Sequence, residues 1–199
     1  MLATARRLTL VLLLVCSTSG TAQLIDTNTL KSNWSVTLGG VAATIIGHEL
    51  GHFAVAELED ADAYFDNFTV KYRDQDGSNR QALRLSSAGF QSQWIISEFA
   101  FAKLNTIELS DKKQALYSGL VLGHIAITAA YLLGLKDHED GDTTGIAGAT
   151  SYSSNDIALA IALPAAIDAW RLFGKQTPRW APWVSVGAKA GGIAAVWQF

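Results

Sequence analysis

The stretch that decides the fold runs from Trp34 to Leu58, WSVTLGGVAATIIGHELGHFAVAEL. It carries no charge as far as Gly47, is interrupted by His48, Glu49 and His52, and turns apolar again from Phe53. The pattern predicts one helix, long enough to span a bilayer if the three polar residues are tolerated inside it. Residues four apart share a helix face, so His48 and His52 aim ring nitrogens at one point. Glu49 stands about 100° further round the helix, within reach of a group held at that point. This is HExxH, two zinc-ligating histidines and a glutamate acting as general base. Two imidazoles and a carboxylate are costly to bury among apolar neighbours without a partner, and a metal ion supplies one. Beside the histidine face, Gly40, Ala43, Gly47 and Gly51 recur at spacings of three and four. Such a small-residue stripe lets another helix approach closely.

Outward from this helix, residues 1–22 read as a signal peptide or N-terminal anchor. Arg6 and Arg7 give the charged start, Leu8 to Cys16 the apolar run, and Gly20-Thr21-Ala22 the cleavage site. Cys16 is the only cysteine, so once the signal peptide is removed any zinc site draws on His, Asp or Glu. Residues 23–199 suit one domain. A net charge of -3 and no arginine-rich stripe exclude a nucleic-acid partner. Only 17% of residues are charged and 17 are glycine, a composition favoured where helices pack within membranes.

After Leu58 comes an acidic stretch. Residues 68–72 (FTVKY) and 82–85 (ALRL) flank a DG-containing segment, which predicts a β-hairpin outside the membrane. Further helices are expected over 86–102, 115–135, 155–174 and 181–199. Of these, 115–135 is the clearest span, interrupted only by His124. Residues 136–154 read as a polar loop. The expected fold is mainly α, a polytopic helical membrane bundle with a small hairpin after the HExxH helix. Such a chain enters the export route and resides in the membrane as a multi-pass protein.

Zinc needs a third protein ligand, with water in the fourth position. The candidates are Asp168, Asp156, Glu98, His124 and the His138-Glu139-Asp140-Asp142 group. Asp156 follows Ser-Ser-Asn at a helix start and reads as a cap, and the loop acids read as solvated. Glu98 can mark a helix end. His124 lies inside the strongest span, as a functional group or a hydrogen-bonded packing residue. Asp168 lies about twelve residues, roughly 18 Å, into its segment, at a depth comparable to His48. Its positive partner is either the metal or Arg171.

GHELGH in an apolar helix, a hairpin after it, AGFQSQ at the next helix and a late Pro-x-x-x-Asp-x-x-Arg together resemble the site-2 protease family of intramembrane metalloproteases. The resemblance covers roughly residues 34 to 174. It implies that His48, His52 and Asp168 bind Zn2+ and that Glu49 activates water. It also implies that Gly89 and Gln93, standing where the family has the glycine and asparagine of Gly-Pro-x-x-Asn, position the substrate. The chain departs from that family in having Phe90 for the motif's proline, Gln93 for its asparagine and Ile161 for the asparagine of the later motif.

The resulting expectation is a zinc metalloendopeptidase that cleaves membrane-protein substrates within or next to their helices, in the lipid bilayer. Two alternatives differ in class: a soluble secreted zincin whose apolar segments are core helices, and a non-catalytic membrane protein that holds the metal structurally.

Overall fold

The computed structural model describes residues 25–66, 69–106 and 108–199; the signal-peptide reading of residues 1–22, Cys16 included, lies outside them. The described residues are mainly helical, at 74%, with one two-stranded antiparallel hairpin among them. In chain order the elements are α1 (Thr27–Ser32), α2 (Trp34–Leu58), β1 (Asp62–Asp66), β2 (Thr69–Arg73) and α3 (Asn79–Leu104). Then come α4 (Asp111–Ala130), continued by a π-helical turn (Tyr131–Leu135), α5 (Asp142–Ala149), α6 (Ser154–Phe173) and α7 (Ala181–Gln198).

The HExxH helix has the bounds its sequence predicts. The hairpin does not. β1 pairs with β2, Asp62 opposite Arg73 and Asp66 opposite Thr69, while residues 82–85 belong to α3. The cause lies in the segment read as the hairpin turn. Gly77 takes a positive φ of 74°, and Ser78 then caps α3 by accepting a hydrogen bond from the Gln81 N–H at 3.1 Å. The Asp-Gly-Ser sequence therefore starts a helix rather than closing a ladder. The second difference is α5, which forms inside the segment read as a polar loop. It buries Thr143 and Ile146, and Thr143 donates to the Lys136 carbonyl at 2.8 Å.

Helix α2 is the centre of the bundle, with α4 and α3 on two sides of it. The small-residue stripe serves both neighbours. Gly40 meets the backbone of Leu116 and Gly119, leaving no room for a Cβ, and Gly123 fits against Thr44. Gly51 lies against Ala88 and Ser92 of α3, and Gly47 against Ile96. The close approach is fixed by hydroxyls, since Thr44 donates to the Leu120 carbonyl at 2.8 Å and Ser92 to the Gly47 carbonyl at 2.6 Å.

Charged side chains are buried beside the apolar core, and large apolar ones stand exposed. Glu98, His124, Asp168, Arg171 and Lys189 are all buried, whereas Leu38, Ile46, Leu50, Leu159, Leu163 and Trp183 are more than half exposed. Among the described residues one helix, Asp111–Leu135, is long and apolar enough to cross a membrane, which is one span where several were expected. The other long helices carry polar groups where a span is uniformly apolar: His48, Glu49 and His52 in α2, Asp168 and Arg171 in α6, and Lys189 in α7.

Candidate metal centre

His48 and His52 lie one turn apart on the buried face of α2, rings edge to face with centroids 5.2 Å apart. The group that meets them is Asp142, in the first turn of α5. His48 Nε2 is 2.9 Å from Asp142 Oδ2, and His52 Nε2 is 3.3 Å from Asp142 Oδ1. One ligand atom from each residue lies within 4.8 Å of the other two, so the three can share a metal ion. Burial works against the charged form of Asp142, but His52 and His48 outweigh it and hold the carboxyl well below the ordinary carboxylate range. Two imidazole nitrogens and a carboxylate form a donor set that suits a divalent metal with one position left open. The far nitrogen of His48, Nδ1, is buried without a hydrogen bond.

Glu49 is next to the ligands and outside their set. It is partly exposed on the neighbouring face of α2, as the helical spacing predicts.

Gly89 lies against a ligand. A Cβ there would run into the imidazole of His48, so α3 can pass the ring only because this residue has no side chain. Phe90 lines the same ring edge-on at a centroid distance of 5.6 Å, and Tyr131 packs on Phe90 at 5.0 Å. Gln93, the other residue expected to position substrate, is fully buried. Its side-chain amide reaches Thr128 on α4 at 3.4 Å.

Asp168, the expected third ligand, is held elsewhere. Its carboxylate accepts from Arg171 at 2.8 Å, from Ser185 at 2.6 Å and from Lys189. Glu98 joins the same group through Arg171 at 2.6 Å and Lys189 at 2.6 Å. His124 lies 3.5 Å from Asp168 and is likewise apart from His48 and His52. Two carboxylates and two cations thus close a buried network among α3, α6 and α7, and among the described residues the carboxylate that the structure brings to His48 and His52 is that of Asp142. Asp156 takes part in capping, as its sequence predicts, but from the third helical position: Ser153 is the N-cap and Asp156 closes the capping box. The sequence signal for Asp142 was slight: an acid directly after Gly141, where a first-turn carboxylate favours the helix N-terminus.

No protein-family model, curated protein or solved structure matches the chain.

The contact between Gly89 and His48 makes a prediction. Gly89→Ala is expected to turn the His48 ring away and lower zinc affinity at least about tenfold, the lower end of what misorienting a ligand costs. Gly148→Ala is the control, because a Cβ there meets nothing within 4 Å. Competition against a chromophoric zinc chelator measures both, and equal affinities for the two variants would refute the role given to Gly89.

Proposed function

We propose that the protein is a zinc metalloendopeptidase that cleaves peptide bonds within or next to membrane helices. The observation that carries the reading is the meeting of His48 and His52 with Asp142, with Glu49 one residue from a ligand yet outside the ligand set. A purely structural site has no use for that carboxylate. His48, His52 and Asp142 would hold the zinc. When bound, the ion supplies Lewis acidity, polarising a peptide carbonyl and making water a stronger acid. Glu49 takes the proton from the attacking water on its carboxylate. It then returns that proton to the leaving amide nitrogen as the C–N bond breaks.

The surroundings support a bilayer setting. Charged and hydroxyl side chains are buried alongside the apolar clusters, and leucine, isoleucine and tryptophan side chains are exposed on the outside, an arrangement that suits lipid as the solvent. Helices meeting through glycine and threonine at backbone distance are also the contact that works where the solvent offers no hydrophobic drive.

A substrate helix hides its carbonyls in its own hydrogen bonds, so it must unwind to reach Glu49. Helix-weakening Gly, Pro or Asn near the cut lowers that cost. In liposomes the protein is expected to cut a single-span helix carrying such residues, and to stop on addition of a zinc chelator. Fast digestion of casein, with the spanning helix left intact, would favour a soluble zincin. Failure on every substrate at full zinc occupancy would favour a metal-binding protein without catalysis.

A further inference from the structure

The hairpin touches the metal centre at one side chain. Tyr72 of β2 places its hydroxyl 2.8 Å from His52 Nδ1, and the Leu85 carbonyl lies 2.9 Å from the same nitrogen. The two oxygens are themselves 3.3 Å apart, in a Tyr72-to-Leu85 hydrogen bond. A carbonyl only accepts, so Nδ1 must carry the ring proton and donate to Leu85. Tyr72 spends its own proton on the same carbonyl and presents its oxygen to the Nδ1–H. In this tautomer the Nε2 lone pair is free and points toward Asp142. The reverse tautomer, with Nε2 protonated, could not serve as a ligand. The ring of Tyr72 is packed against the cluster of Val55, Ala56, Ala61, Leu85 and Ala88, so the hydroxyl is aimed by rigid neighbours.

We propose that Tyr72 is a positioning residue of the metal centre: its hydroxyl, with the Leu85 carbonyl, fixes the tautomer and orientation of His52. The inference rests on His48, His52 and Asp142 being a metal site. Through it the hairpin becomes part of the centre rather than an appendage. Lys71, the preceding residue, adds a second tie to the loop that leads into α5, pairing with Asp140 at 2.9 Å. That pair is largely solvent-exposed and contributes little.

Partners of this kind, bound to a ligand rather than to the metal, typically contribute about 10- to 100-fold to affinity. The test uses the full-length chain in mild detergent, with zinc affinity read by chelator competition and ligand geometry by the visible absorption of the cobalt(II)-loaded protein. Tyr72→Phe keeps the ring and removes only the oxygen. It is expected to weaken zinc binding about 10- to 100-fold and to shift the cobalt bands, while the metal-free protein melts as wild type. Lys71→Ala, which loosens the hairpin without touching a ligand partner, is expected to stay within about fivefold of wild type. Unchanged affinity and cobalt spectrum in Tyr72→Phe would overturn the inference while leaving the metal site standing. So would a weaker affinity with an unshifted spectrum and a lower metal-free melting temperature, the mark of a merely structural role. Wild-type protein that binds no zinc would instead overturn the site itself.

Discussion

Glu49→Gln is expected to keep its zinc and to lose about 10²–10⁴-fold of its cleavage rate, the usual contribution of a general base. The two halves of this result come from one position. Glu49 is adjacent in sequence to His48, and its helical offset takes it out of the group formed by His48, His52 and Asp142. Replacing it therefore removes no ligand atom. Glutamine has the same size and can still accept a hydrogen bond, but its amide cannot take a proton from water at neutral pH. Metal analysis of the purified full-length variant, beside cleavage of a spanning helix in liposomes, reads both halves. Loss of zinc along with activity would make Glu49 a ligand. Retention of full activity would remove it from the chemistry and return the protein to a metal-binding role.

Much of this arrangement was legible in the chain because it is local. A 25-residue helix with HExxH in its middle needs only periodicity, and α2 has the predicted bounds. The stripe at Gly40, Gly47 and Gly51 foretold close helix contacts, though not that it would divide between α4 and α3. Asp156 serves the start of its helix, though as the capping-box partner of Ser153 rather than as the cap itself. What escaped depended on contacts distant in sequence. Asp168 was ranked as a ligand by its depth in an apolar segment, and depth does show that a carboxylate needs a partner. It does not show which one. Arg171, weighed as the alternative, is one partner, and Lys189 arrives from α7, which no local pattern announces. Asp142 was passed over for the opposite reason. Its neighbours His138, Glu139 and Asp140 look solvated, and only the folding of α5 against α3 carries that one carboxylate inward. The hairpin slipped by one strand because the Asp-Gly signal for a tight turn also suits the approach to a capped helix, and Ser78 decides between them.

Asp142→Ala and Asp168→Ala are expected to give opposite results, and together they separate the two buried acidic sites. Asp142 offers its oxygens to His48 and His52. Its removal takes one of three ligands from the metal, and the two histidines left cannot hold zinc against a chelator. Its loss leaves two imidazoles that can stay neutral, so the fold loses less than when a buried cation is left unpaired. Asp168 makes no contact with either histidine ligand, but it is fully buried and accepts from Arg171, Ser185 and Lys189. Taking it away leaves two cations facing Glu98 alone. An uncompensated charge in such a place typically costs about 3–5 kcal/mol. Asp168→Ala should therefore retain zinc and unfold at markedly lower temperature or denaturant. Asp168→Asn combined with Lys189→Met should recover part of the loss, since that exchange removes one charge of each sign. Metal content and unfolding in mild detergent measure the contrast. Zinc lost from Asp168→Ala with its melting unchanged, or zinc kept in Asp142→Ala, would move the third ligand back to α6.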